Sequence, residues 1–282
     1  MKVAVGFFDG VHIGHRRILD GADVALTFRN HPLSVLAPER APRLIQTAEE
    51  RFASIRACGV ESVVALEFTR DLASVEPEEF VRRQLLSLSG QIAVRCGDNW
   101  RFGKGGRGDA KLLRGMGVAV EVVPFAEYAG VRVSSTRIRQ AIEGGQIDAA
   151  NAMLGRRWTV SGCVVSGKGV GRSIGYPTLN IVPSDLGLRL RHGVYAVELC
   201  GVRCVANYGL APTAGERAWT APVLEVHVLE GGVPGAAAGE MKAEFVRFIR
   251  PERRFASFDD LRRQIAEDCR SASRGGFAAT GA

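Results

Sequence analysis

The string Gly6-Phe7-Phe8-Asp9-Gly10-Val11-His12-Ile13-Gly14-His15 places two histidines where an apolar run gives way to a helical pattern. A helix start offers unpaired N–H groups and the positive end of the helix dipole, and two imidazoles beside it complete a site for anionic phosphates. Gly10 and Gly14 let a ligand approach the backbone closely. The chemistry suited to such a site is transfer of a nucleotidyl group. The attacking phosphate is already an anion, so positioning and charge neutralisation take the place of a strong base. A second string, Ser134-Ser135-Thr136-Arg137-Ile138-Arg139, sets hydroxyls at a helix start and the Arg137 fork beside them, a combination able to grip phosphate. By itself it reads equally well as a capped helix with exposed arginines.

A different chemistry is suggested further along. Gly167-Lys168-Gly169-Val170-Gly171-Arg172 is a glycine-rich loop with two cations, followed by Gly175-Tyr176-Pro177-Thr178-Leu179-Asn180. No GxxxxGK[ST] motif occurs, yet these glycines can present backbone N–H groups to phosphates. Thr178 and Asn180 can give neutral oxygens to a Mg²⁺ shared with those phosphates. Glu225 stands among aliphatic residues in Leu224-Glu225-Val226-His227-Val228-Leu229, with Val223 and His227 as its period-2 neighbours. A carboxylate there is either a surface-facing strand residue or a proton acceptor.

The elements that must position these groups change character along the chain. Val3–Phe7, Asp23–Phe28, Glu61–Phe68, Gln91–Cys96 and Val118–Val123 read as strands, with helices at Ile13–Leu19, Thr47–Cys58 and Pro77–Leu88 between them. Thr47 with Glu50 makes a capping box, and Pro77 marks a helix start. Alternation of this kind predicts a parallel α/β sheet, whose ligands bind beyond the carboxyl ends of the strands. The crossover from Gly10 to Asp23 spans only a dozen residues, about the minimum for a parallel connection. Short helices at Thr136–Glu143 and Ile147–Leu154 follow, and Gly155 closes the second. From Trp158 the pattern is β: Thr159–Val165, Gly193–Leu199, Val202–Tyr208 and Val223–Leu229 predict a small antiparallel barrel. A helix over Phe258–Cys269 follows it, and a small, polar tail from Ser271 is expected to be disordered. The domain division is placed at 1–155 and 156–282.

These strings, in this order over about residues 3–270, resemble the bacterial bifunctional riboflavin kinase/FAD synthetases. The resemblance implies a Rossmann-like nucleotidyltransferase domain followed by a six-stranded barrel kinase domain with a terminal helix. It implies two ATP-dependent steps, riboflavin to FMN and FMN to FAD with release of pyrophosphate, both using Mg²⁺. For the transferase it implies catalytic roles for His12, His15 and Arg137. Ligand contacts are implied for Gly6, Phe7, Asp9, Gly10, His31, Asn99, Ser135 and Thr136. His31 belongs to Thr27-Phe28-Arg29-Asn30-His31-Pro32, similar to TFxPHP. Asn99 belongs to Gly97-Asp98-Asn99-Trp100-Arg101-Phe102-Gly103, in which Trp100 stands where the family has Phe. Asp109 is expected to cap a helix. For the kinase the resemblance to GxxxGxPTxN implies nucleotide contacts from Gly167, Gly169, Gly171, Arg172, Gly175 and Pro177. Thr178 and Asn180 would hold Mg·ATP, and Glu225 would be the general base. Asn207-Tyr208-Gly209 and Pro212-Thr213 resemble the neighbouring NxGxxPT element, with Ala211 for the usual Arg. Arg250-Pro251-Glu252 and Phe255 resemble RPExxF, expected to pack the final helix.

Bulk properties exclude little but are consistent. The chain has 282 residues, 46% hydrophobic and 24% charged, enough for two cores. Six cysteines without a CxxC pair argue against zinc and for reduced thiols. No run approaches membrane-helix length and the N-terminal apolar run is short, so a cytoplasmic protein is expected. The net charge of +7 lacks a dense basic stripe. A basic barrel can bind oligonucleotides, but these strands lack interleaved aromatics for base stacking, so no nucleic-acid or membrane partner is expected and the oligomeric state stays open. The alternative function is a riboflavin kinase alone, with a transferase half impaired by the short crossover.

Overall fold

The computed structural model describes residues 1–166, 171, 174–184, 188–210, 222–232 and 239–274. The chain divides into two compact units, Met1–Arg137 and Ile138–Ala282.

The first unit is built on five parallel strands, β1 (Lys2–Val5), β2 (Val24–Phe28), β3 (Ser62–Leu66), β4 (Ala93–Gly97) and β5 (Ala119–Val123), in the order β3-β2-β1-β4-β5. Both faces are covered, which is why the strands read as apolar runs rather than alternations. Val3 and Val5 point into one core with Phe80, Leu85 and Leu113, while Ala4 points into the other with Leu19, Phe52 and Ile55. Apart from Leu85, the helical residues among these come from α1 (Ile13–Leu19), α3 (Ala48–Arg56), α5 (Pro77–Phe80) and α6 (Ala110–Gly115). Thr47 caps α3 through a reciprocal box: its Oγ1 accepts from Glu50 N at 3.2 Å, and Glu50 Oε2 accepts from Thr47 N at 3.0 Å. Asp109 caps α6 by accepting from Leu112 N at 2.9 Å. The expected Pro77–Leu88 helix is interrupted: after Phe80 a π-helical turn, Val81–Leu85, buries Val81 and Leu85 together.

The short crossover closes. Two turns of α1 and a left-handed Gly21 (φ 64°) bring the chain back to pair Val3 with Val24 in parallel register. Two short helices go beyond the sequence reading: α2 (Pro32–Leu36), capped by His31, and α4 (Arg70–Ser74), capped by Thr69. A hairpin, β6 (Glu127–Tyr128) and β7 (Val131–Arg132), turns on Ala129 and Gly130, both with positive φ as tight hairpin turns require.

The second unit is a closed antiparallel barrel of β8 (Trp158–Val165), β9 (Thr178–Pro183), β10 (Gly193–Leu199), β11 (Val202–Gly209), β12 (Val223–Val228) and β13 (Glu240–Arg250), in the order β10-β11-β12-β9-β8-β13. Tyr195, Phe245 and Trp158 pack in its interior, with ring centroids 5.1–5.2 Å apart. Gly162 is needed because a Cβ there would meet the Val182 carbonyl at 2.5 Å. Two helices precede the barrel, α7 (Ser135–Glu143) and α8 (Ile147–Leu154), and the latter ends at left-handed Gly155. Asn151 ties α8 to the barrel: its Nδ2 donates to Phe245 O at 2.8 Å and its Oδ1 accepts from Trp158 N at 2.7 Å. Packing thus joins α8 to the barrel, whereas the sequence pattern draws the division at 155. The terminal helix α9 runs Phe258–Ser273, beyond the expected end at Cys269, so Ser271–Ser273 are helical. The remaining expected tail from 275 lies outside the described residues.

Candidate functional site

Each unit carries a candidate site. In the first, strand order reverses at β1, which pairs with β2 on one side and β4 on the other. Loops leaving the carboxyl ends of such strands diverge and open a crevice. A cavity of about 390 Å³ lies there, and Gly6, Phe7, His12, His15 and Asn99 line it, with Ser134–Thr136. Thus the loop after β1, the loop after β4 and the start of α7 converge.

The local sequence explains the shape of the first loop. A Cβ at Gly6 would meet the Phe8 ring at 2.8 Å. Phe8 (φ 58°) and Val11 (φ 41°) are left-handed although neither is glycine, and both are buried, so packing holds a strained backbone. Gly10 is also left-handed (φ 81°). His12, 6% exposed, caps α1: its Nδ1 accepts from His15 N at 3.2 Å. The two imidazoles stack with centroids 3.5 Å apart and an interplanar angle of 17°. Burial, and then the neighbouring His12, hold the His15 pKa well below that of a free histidine. His15 is therefore neutral near pH 7 and offers hydrogen bonds rather than a cation.

Other residues singled out in the sequence sit around this cavity in supporting positions. Asp9 is buried; its Oδ1 accepts from Ile45 N at 2.9 Å and its carbonyl from Ser135 Oγ at 2.9 Å, so it ties the loop after β1 to α7. His31 Nδ1 accepts from Leu33 N at 3.1 Å, and its ring meets Phe7 edge-on at 4.8 Å. Arg137 Nη1 donates to the carbonyls of Tyr128 (3.0 Å) and Val131 (2.7 Å), so this arm of its fork holds the β6–β7 hairpin. Asp9, Gly10, His31 and Arg137 are not among the residues lining the cavity.

In the barrel a cavity of about 800 Å³, within the range of small-molecule sites, is lined by Gly171, Thr178, Asn207, Glu225, His227 and Glu252, among others. Glu225 on β12 stands opposite Asn180 of β9 on one side and Asn207 of β11 on the other. Thr178 and Asn180 are two apart on β9 and share a face. His227 Nδ1 donates to Pro177 O at 2.9 Å and its ring meets Tyr176 edge-on at 5.1 Å, which fixes the segment before Thr178. The Gly171 carbonyl accepts from Tyr176 N at 2.7 Å, and a Cβ on Gly171 would strike the Tyr176 carbonyl. Gly175 is left-handed (φ 87°). Gly175, Pro177 and Asn180 do not line the cavity; Gly167, Gly169, Arg172, Ala211, Pro212 and Thr213 lie outside the described residues.

Burial, and then the Glu252 carboxylate, push the Glu225 pKa above that of a free glutamate. Glu252 itself accepts from Asn207 Nδ2 at 3.2 Å. It belongs to the segment after β13 that α9 holds down: Arg250 makes a two-pronged pair with Asp268, Nε to Oδ1 at 2.9 Å and Nη2 to Oδ2 at 2.6 Å. From its motif the RPExxF element is expected only to pack the final helix; the structure also brings Glu252 to the cavity, 45 residues along the chain from its partner Asn207. Among the described residues no group of three or more His, Cys, Asp or Glu side chains is arranged to hold a metal ion. The neutral oxygens of Thr178 and Asn180 instead fit an ion held mainly by a nucleotide's phosphates.

Comparison with known proteins matches residues 1–137 to the family model described as FAD synthetase and residues 154–275 to that described as riboflavin kinase. The bifunctional riboflavin kinase/FMN adenylyltransferase of Escherichia coli (strain K12) is 35% identical over 94% of this chain and 90% of its own length. The protein of the same description from Bacillus subtilis (strain 168) is 32% identical over 96% and 91%. A crystal structure titled as a macrolide-efflux protein from Streptococcus pneumoniae superposes with a TM-score of 0.86 at 29% identity, covering 97% of this chain and 94% of that one. Among the described residues no helix is long and apolar enough to cross a membrane.

Proposed function

Because the chain belongs to the bifunctional riboflavin kinase/FMN adenylyltransferase family, we propose that it converts riboflavin to FMN in the barrel and FMN to FAD in the parallel-sheet unit, with ATP as donor in both. The observation that carries this reading is a motif-lined cavity in each unit, in the order of the two matching family models. The kinase-only alternative loses its basis, since the short crossover closes with β1 and β2 in register.

In the kinase step the terminal hydroxyl of riboflavin attacks the γ-phosphorus of ATP, and ADP leaves. Glu225 accepts the hydroxyl proton, and its raised pKa makes it a better base than an exposed glutamate. Asn207 and Glu252 orient the wall beside it. Thr178 and Asn180 would hold Mg²⁺ shared with the ATP phosphates; bound there, the ion neutralises charge on the transferring group. Gly167, Gly169, Gly171, Arg172, Gly175 and Pro177 are assigned to the nucleotide loop.

In the transferase step a phosphate oxygen of FMN attacks the α-phosphorus of ATP, a new P–O–P bond forms, and pyrophosphate leaves. His12 and His15 donate hydrogen bonds to the phosphates, and Ser135, Thr136 and the N–H groups at the start of α7 hold the leaving group. Gly6, Phe7 and Asn99 wall the cavity, while Asp9, Gly10, His31 and Arg137 act from behind it by fixing its loops. The functional division we assign is 1–155 and 156–282, and the location the cytoplasm, where ATP is supplied.

The test is chromatography of products from purified protein with ATP and Mg²⁺, started from riboflavin and separately from FMN. FAD from both starts, with FMN also formed from riboflavin, is expected. FMN alone would leave the first unit without this chemistry.

A further inference from the structure

Arg51 is the largest fully buried side chain among the described residues, 0% exposed, and neither chemical step calls on it. It projects from α3 under the loops of the first cavity. Its Nη2 donates to Phe28 O at 2.6 Å and Arg29 O at 3.0 Å, the last residue of β2 and the first beyond it. Its guanidinium lies over the Phe7 ring, with Cζ 4.1 Å from the centroid. Phe7 in turn lines the cavity and meets His31 edge-on. The remaining donors, Nε and Nη1, are buried with no hydrogen-bond partner among the described residues.

A buried cation with unsatisfied donors is an unfavourable way to fill space, since an apolar side chain of similar volume does so without desolvating a charge. Burial indeed depresses the Arg51 pKa, against the opposing pull of Asp9 and Glu49. What an apolar residue cannot do is join two strand ends. The guanidinium sits over the ring that follows β1 while its Nη2 grips the carbonyls at the end of β2. Lysine, a point charge on a flexible stem, cannot do both.

We propose that Arg51 is a positioning residue for adenylyl transfer, clamping the Phe7 wall of the cavity to the end of β2 so that the Phe7–His31 side of the site is preformed. This rests on the reading of that cavity as the transferase site. Misplacing a wall of a preorganised site by about 1 Å lowers catalytic efficiency by on the order of a hundredfold.

The experiment uses full-length Arg51→Met and Arg51→Lys, with FAD formation from FMN and FMN formation from riboflavin measured side by side. For Arg51→Met the expected result is a loss of at least about tenfold in kcat/KM for FAD formation, carried by a rise in KM for FMN or ATP. Arg51→Lys should fall between it and wild type. FMN formation should stay within about twofold of wild type, reporting an intact barrel. Wild-type kcat/KM in both variants would overturn the proposal. So would a loss confined to kcat that follows the unfolded fraction in thermal melts, because that is a purely structural role. Wild-type protein that makes no FAD would instead overturn the underlying reading of the cavity, and the inference with it.

Discussion

Replacing Glu225 by Gln keeps the shape of the side chain and removes its ability to take a proton. A positioned general base contributes about 10²–10⁴ in rate. Two features set the magnitude here. The raised pKa brings the carboxylate nearer the working pH and strengthens it as a base. Phosphoryl transfer through a loose transition state, however, asks little of a base until late. The expected loss in FMN formation is therefore about 10²–10³, equivalent to roughly 2.7–4 kcal/mol of barrier. Stability should move the other way. A carboxyl whose folded pKa is raised lends stability that is full below its unfolded pKa, about 4.5, and is lost as pH rises through the folded value. The Glu225→Gln protein escapes both that loss and the repulsion of Glu252, so it should melt no lower than wild type at neutral pH. The assay is product chromatography from riboflavin, with FAD formation from FMN as an internal control within about twofold of wild type. FMN formation within about tenfold of wild type would refute the base assignment, and an equal fall in FAD formation would refute the separation of the two sites.

His12→Asn, which retains a helix-capping side chain, should lower FAD formation by at least about a hundredfold while leaving riboflavin phosphorylation unchanged, as read by the same chromatography. Asp268→Asn removes the charge facing Arg250 and one of the two oxygens it grips, and should destabilise the barrel by about 1–3 kcal/mol, seen as a lower midpoint in thermal melts followed by circular dichroism. His15 is kept neutral by the fold, so the unfolded chain takes up its proton first as pH falls below about 6.5. Denaturant titrations at about pH 7.5 and 5.5 should show a loss of at most about 1.4 kcal/mol from this residue, which His15→Gln abolishes.

What the sequence conveys depends on how local the determinant is. The capping box at Thr47, the cap at Asp109 and the bounds of α1 are settled within four residues or by a single period, and they stand where expected. Strand β13 escapes a pattern search although EMKAEFVRFIR alternates at first: its register against β10 shifts twice, and the buried positions move from Met241, Ala243 and Phe245 to Val246, which breaks the period. The helix that His31 caps escapes a pattern search because its five residues are too few to carry a 3.6 period.

The sites divide in the same way. Residues that touch a cavity through their own motif, such as His12, His15, Ser135, Thr178 and Glu225, are legible because the loop or strand bearing them is also what aims them. Residues that aim others are not. Glu252 reaches Asn207 across 45 positions, and Arg51 reaches Phe28 across 23. Arg137 is the instructive case: an arginine beside Ser135 and Thr136 reads as a phosphate ligand, yet its Nη1 is occupied by the carbonyls of a short hairpin. A guanidinium has donors enough for either task, and only the position of the hairpin, set by tertiary packing, decides between them. In the proposed transferase step the positive potential facing the phosphates then comes from Arg101 and Arg132, which line the cavity, and from the N-termini of α1 and α7, with the His12 and His15 rings beside them as hydrogen-bond donors. Such a site is preorganised by backbone, and this is consistent with the strained, buried loop from Phe8 to Val11 that holds those donors in place.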